Sequence, residues 1–326
     1  MGNARHPYSA WNSSASTAER SVDPKDASNR ILDGFFTPQC LPDAPRIRRS
    51  DPVFAMGSCF AREIESALQR EKFTITSIDR GALSDTALWG DSLKDALGFF
   101  HRYNTPSMEL EFRRAFADVD FNEDEDLLVE SAAGRIFDLN YSERLPRINR
   151  EGVVARRRAA RSFVANAASA KAIIVTLGLT EAWFHTPSGF YCNAITGELL
   201  GRNRKDFELR TISFEENIRA LEGILDCLKR KHESGNFTLF VTVSPVPIQS
   251  TFSEHDIVVS NAHAKATLRA AAGEFCARHE GAVYFPSYEI AMQSDPALVW
   301  RPDRVHINPA CVRHIVSVFT TRYLQT

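Results

Sequence analysis

Four short segments of this chain are apolar on both parities, not at every second position. They are Pro52–Met56, Ala172–Leu177 (AIIVTL), Phe237–Val243 (FTLFVTV) and the shorter Ala282–Tyr284. A strand with one wet face alternates, whereas a strand covered on both faces does not. Helical patterns lie between them. The first is Cys59–Glu71, with Phe60, Ile64, Ala67 and Leu68 on one face, and Phe214–Arg230 and Ile257–His279 follow. The last, Pro309–Leu324, aligns Val312, Ile315, Val316, Phe319 and Tyr323. Asn308 followed by Pro309 is a good helix start. Buried strands alternating with helices predict an α/β fold, a three-layer, doubly wound, mostly parallel sheet. With 326 residues, 44% of them apolar, the chain can bury a sizeable core of this kind.

The remaining segments read differently. Residues 1–48 are rich in Ser, Asn, Asp and Pro, with scattered aromatics, and predict an extended or partly disordered arm before a domain spanning 49–326. Within that domain, residues from about 80 to 168 predict a helical insertion capping one end of the sheet. It holds short helical patterns (Asp91–Tyr103, Ser107–Asp118), the acidic run Asn122–Asp126 and a basic helix with Arg156, Arg157, Arg158 and Arg161. His185–Asn193, with Pro187, Ser188 and Gly189, reads as a turn or hairpin. A formal net charge of −2 gives no drive toward nucleic acid or anionic membrane. The longest apolar runs fall short of the roughly 18 residues of a membrane span, and the polar N-terminus has no signal-peptide core. None of the six cysteines forms a C-x-x-C pair or has a histidine at zinc spacing, so a reduced, cytoplasmic setting without metal or cofactor is expected.

In open α/β sheets, ligands bind beyond the carboxyl ends of the strands. Those ends carry Gly57-Ser58-Cys59, then Gly178-Leu179-Thr180-Glu181, then Ser244-Pro245-Val246-Pro247. The first places a hydroxyl and a thiol where a strand turns into a helix, beside the unpaired N–H groups of the helix start. Either side chain is a candidate nucleophile: Cys59 gains from the helix N-terminus, but a residue turned one position further than Ser58 can point into the core. Before the last helix, Asp303 and His306 stand three apart. Such an aspartate can fold onto Nδ1–H and leave Nε2 free as a base. Alone, this spacing fits a surface or capping histidine equally well. A small residue and Ser after the first buried strand, with D-x-x-H before the last helix, follows the block order of the SGNH (GDSL-like) hydrolases.

The run Gly57-Ser58-Cys59-Phe60-Ala61 resembles the name-giving motif of the GSCFA family. Tyr103–Pro106, Thr176–Trp183, Thr242–Pro247 and Tyr284–Glu289 look like the same family, and the similarity spans roughly residues 48–320. This family resembles SGNH esterases and the plant polysaccharide O-acyltransferases. The resemblance implies an SGNH-like, flavodoxin-like fold, with Ser58 as nucleophile, His306 as base and Asp303 orienting it. The backbone N–H of Cys59 would then donate to an oxyanion. The third SGNH block usually reads Gly-x-Asn-Asp. Here it reads Gly178-Leu179-Thr180-Glu181, where Thr180 keeps a hydroxyl but not the amide, and Asn104 is a candidate source of that amide.

Other side chains admit several roles. Glu181 fits a base, a sugar ligand or a partner for a backbone amide. Trp183 fits a sugar-stacking surface or core packing. Ser244 is a candidate substrate contact. His263 and Lys265 read as a solvated helix face, and the Arg156–Arg161 cluster as a charged one. The functional expectation is a serine-dependent esterase or O-acyltransferase acting on an acylated sugar or polysaccharide, with an acyl donor if it transfers. The alternative is a carbohydrate-binding or scaffold module that keeps the fold without turnover.

Overall fold

The computed structural model describes residues 10–11, 23–31, 34–131, 134–141 and 145–325. Five strands form its central sheet: β1 (Pro52–Gly57), β2 (Thr74–Ile75), β3 (Ala172–Leu177), β4 (Thr238–Val243) and β5 (Ala282–Tyr284). They lie in the order β5-β4-β3-β1-β2, and every neighbouring pair is parallel. The direction of strand succession reverses between β1 and β3, which makes that gap the topological switch point.

Alternate residues of each strand feed opposite faces, as period two demands. Val53 and Ala55 of β1, Ala172 and Ile174 of β3 and Phe240 of β4 face α1 (Cys59–Arg70) and the C-terminal helix Pro309–Tyr323. Phe54, Met56, Ile173, Val175, Leu177, Leu239, Val241 and Val243 face the other layer. That layer includes α2 (Thr105–Ala115), α3 (Arg150–Ala165), α4 (Phe214–Lys231) and α5 (Ile257–Arg278); the C-terminal helix is α6. The expected three-layer, parallel α/β architecture is therefore present. Met108 and Phe112 of α2 and Val164 of α3 pack against Phe54 of β1 and its layer, so helices from residues 80–168 supply part of the sheet's own cover.

Short strands escaped the periodicity. β2 has two residues, and Leu128–Glu130 pairs antiparallel with Ile136–Asp138. Glu181–His185 pairs with Phe190–Tyr191, the hairpin expected over His185–Asn193, and also with Phe207–Thr211. Two or three residues are too few to display a period.

The basic helix corrects a reading. Arg156 and Arg157 are not a solvated face but are buried. Arg157 pairs with Asp138 at 2.8 Å and donates to the carbonyls of Glu123 and Asp126, while Arg158 and Arg161 meet Asp124 and Glu123. Asp138 supplies the carboxylate that the buried Arg157 guanidinium needs, and the acidic run pairs with the more exposed Arg158 and Arg161. Of the N-terminal arm, residues 34–48 run along α6: Phe35 stacks on His314, Tyr323 donates to the Pro42 carbonyl, and Ile47 bridges to Leu324. Residues 1–9 and 12–22 of that arm lie outside the described residues.

Candidate active site

Gly57 ends β1 at φ +152, and a Cβ there would sit 1.8 Å from the Thr176 hydroxyl, so only glycine fits. The next residue, Ser58, is the N-cap of α1. Ser92 and Ser213 cap their helices with their hydroxyls, but Ser58 makes no capping hydrogen bond. Its side chain is 5% exposed, and its Oγ is buried without a hydrogen-bond partner. Leaving a buried hydroxyl unpaired costs about 1–3 kcal/mol. The Ser58 hydroxyl is thereby left uncommitted to the helix cap at the switch point.

The segment His101–Asn104 runs beside Ser58. Arg102 N–H donates to the Gly57 carbonyl at 2.8 Å, and Leu179 N–H donates to the Tyr103 carbonyl at 2.9 Å. The segment thus bridges the ends of β1 and β3. Gly178 leaves room for it, since a Cβ would approach the Tyr103 oxygen to 2.7 Å. Asn193, which sequence reasoning passed over, fixes the same segment by accepting from Tyr103 N–H and donating to the His101 carbonyl.

The other expected site residues divide by what already holds them. Asn104 is buried, its Oδ1 capping α2 at Ser107 N–H and its Nδ2 donating to the Cys192 carbonyl at 3.0 Å. Thr180 is buried, and its carbonyl accepts from Ile212 N–H. Glu181 accepts from the Thr251 hydroxyl at 2.5 Å and from Phe252 N–H at 3.1 Å, clipping the loop after β4 to the loop after β3. Ser244 is buried, with its hydroxyl accepting from Val246 N–H. Trp183 packs in a core cluster with Leu110, Phe137 and Leu139, 5.5 Å from the Phe252 ring.

Asp303 and His306 form the expected pair. Oδ2 meets His306 Nδ1 at 2.7 Å, while Oδ1 accepts from the amides of Val305 and His306. Hydrogen bonds from the His306 amide and ring, then from the Val305 amide, hold the Asp303 carboxyl well below its ordinary range. The turn is closed by a bridge between Trp300 and Ile307, and Arg304 takes a left-handed φ of 56 within it. The turn reaches α1 through Arg301, whose guanidinium lies 3.8 Å from Glu63, and α6 packs beside α1. The serine and the histidine are thus carried by adjacent elements, with no hydrogen bond joining them in this structure.

Lys265 is the residue that sequence reasoning misplaced. His263 is exposed as expected, but Lys265 is 1% exposed. Its amine donates to the carbonyls of Gly178 and Val246, each at 2.7 Å. Burial pushes it down to about 7, with the Cys59 side chain opposing that shift. A signal was present: Lys265, Leu268 and Ala272 recur at helical spacing on the buried face of α5. The Cys59 thiol is itself raised, chiefly by burial, against the opposing pull of the Phe60 amide. It is therefore held as a thiol and is the weaker nucleophile candidate.

No helix among the described residues is long and apolar enough to cross a membrane. No curated protein matches the chain. Among solved structures it is similar to the Clostridium thermocellum family 3 carbohydrate esterase, with a TM-score of 0.34 and 10% identity over 83% of this chain and 94% of that one. The sequence pattern of the GSCFA family matches residues 52–319, most of the chain, and the protein belongs to the GSCFA family.

Proposed function

We propose that the protein is a serine-dependent acyl-transfer enzyme acting on acylated carbohydrate, through an acyl group carried on Ser58. The observation that carries this reading is the buried, unpartnered Ser58 hydroxyl at the start of α1, in the element next to the Asp303–His306 pair. Ser58 Oγ gives its proton to His306 Nε2 and bonds to the ester carbonyl carbon. The carbonyl oxygen becomes an oxyanion facing the Cys59 N–H, with Gly178 and Thr180 lining the other side. The C–O bond to the sugar then breaks, and the departing oxygen takes the proton from His306. Water or a second sugar hydroxyl next attacks the acyl-serine, again giving its proton to His306, and Ser58 is restored. Asp303 orients the ring and stabilises its charged form. This cycle needs the Ser58–His306 hydrogen bond to close on substrate, as catalytic hydrogen bonds often do. The cysteine pattern supports a reducing, cytoplasmic setting.

Fluorophosphonate labelling of the purified protein tests the reading. Wild type labels and releases acetate from short acyl esters, whereas Ser58→Ala and His306→Ala do neither. A wild type that never labels and never turns over would remove it. Faster acyl transfer to an oligosaccharide than to water identifies a transferase; release unaffected by acceptor identifies an esterase. One observation favours a second reading, a carbohydrate-binding or scaffold module. Ser58 and His306 are not joined, and the usual oxyanion asparagine is Thr180. That module would bind oligosaccharide with no labelling.

A further inference from the structure

Lys265 carries a buried amine that the catalytic cycle above does not use. Its side chain passes from α5 under the carboxyl edge of the sheet, and its amine meets one carbonyl from each of two loops. Gly178 belongs to the loop after β3 and Val246 to the loop after β4, and both loops leave the carboxyl edge of the sheet. The register puts these atoms close to the nucleophile: Gly57 pairs with Thr176, so Ser58 and Cys59 leave the sheet alongside Leu177 and Gly178. The amine also lies within electrostatic reach of the Cys59 side chain.

A cation is costly to bury, and two carbonyl acceptors do not repay the whole cost. A methionine or leucine would fill the same space at lower cost, so stability alone does not account for a lysine here. The loop after β3 gains specific constraint from it. Leu179 N–H is drawn to Tyr103 on one side, and the Gly178 carbonyl is drawn to Lys265 on the other. These two bonds fix the peptide between Gly178 and Leu179, and with it the direction in which the loop presents Thr180.

We infer that Lys265 is a positioning residue of the candidate active site, which ties the loops after β3 and β4 together and sets the donors that face an oxyanion on Ser58. The inference rests on the acyl-transfer reading for its catalytic consequence, but not for the tether itself. A displacement of about 1 Å in such a loop can lower turnover about 100-fold without weakening substrate binding equally.

Two variants test it, Lys265→Met, which keeps the stem and loses every donor, and Lys265→Gln, which keeps two N–H donors and loses the charge. Hydrogen exchange is followed at the amides of residues 178–180, Val246 and Ile248, and kcat and KM are measured on an acetyl ester. In Lys265→Met, exchange at both loops should rise at least about tenfold. Its kcat should fall about 10- to 100-fold, with KM within about threefold. Lys265→Gln should recover part of both losses, and it serves as the measured variant if Lys265→Met does not fold. Unchanged exchange in a folded variant overturns the tether. Quickened exchange with kcat within twofold of wild type overturns the positioning role. A wild type that never labels with fluorophosphonate removes the acyl-transfer reading instead, and exchange alone then decides whether Lys265 holds the two loops.

Discussion

Ser58 and His306 precede neighbouring helices, but their surroundings are opposite. Ser58 is buried at a strand-to-helix junction where Gly57 admits no side chain and the hydroxyl has no partner. Asp303 and His306 each have side chains 49% exposed, on a turn whose polar groups are satisfied by one another. Three elements hold the first half: the sheet, the His101–Asn104 segment and Lys265. A turn of a few residues and its bridge hold the second. The comparison teaches that the nucleophile's half is held by several distant elements, while the base's half is held by its own local turn.

The largest effect should come from removing either reacting group. Ser58→Ala and His306→Ala should each lower kcat about 10⁴-fold or more. Their stabilities break the comparison if they diverge from its logic. Ser58→Ala deletes a buried, unpaired hydroxyl and should melt at or above the wild-type temperature. His306→Ala lies on an exposed turn and should shift stability by less than about 0.5 kcal/mol.

Next in size is a pH effect confined to the nucleophile's half. Lys265 has a folded-state value of about 7 against its ordinary 10.5. Between these values the unfolded chain holds a proton that the folded chain lacks, so this lysine makes stability rise with pH across that window. Below about pH 7 both states are protonated and the full penalty of burial is present. The depression corresponds to about 5 kcal/mol as an order of magnitude. Urea unfolding from pH 6 to 10 should show the slope in wild type and lose it in Lys265→Met. Equal slopes would mean that the amine is solvated.

On the exposed half, Asp303→Asn should lower kcat about 100-fold. This is less than for a buried triad aspartate, because water competes for the exposed ring. Its carboxyl should titrate below the ordinary 3.8 when followed by carbon NMR, so the pairing persists as pH falls through the usual carboxylate range and is lost only beneath it. Removal of Asp303 without any change in kcat would show that the turn does not orient the base. The smallest effect belongs to Cys59→Ala, which keeps the backbone N–H and should change kcat less than about tenfold. Loss of labelling in that variant would transfer the nucleophile's role to the thiol.

Much of the architecture was legible because burial on both faces leaves a plain mark. β3 and β5 occupy their expected residues, and α4, α5 and α6 match within a residue or so. The Asp303–His306 contact was legible for a related reason, since three residues of turn can close it locally. The errors share one cause. Arg157 recurs with Val153, Ala160 and Val164, and Lys265 with Leu268 and Ala272, so helical spacing placed both on buried faces. Their charge suggested solvent, and charge was given more weight than period. Asn104 was a candidate amide donor to the oxyanion, but its amide is engaged with the Cys192 carbonyl, a partner 88 positions away.

The sequence by itself determined the layers, the strand-to-helix turn at Gly57–Ser58 and the local Asp303–His306 turn, because each depends on a short-range pattern of apolar residues, glycines and spacing. Only the tertiary structure decided the strand order that sets the switch point between β1 and β3. It alone brought Lys265 to the carbonyls of Gly178 and Val246 and left the Ser58 hydroxyl unpaired. Those features are contacts between segments distant along the chain. A residue's own neighbours fix its backbone preference, but the partners its polar atoms find are fixed by packing.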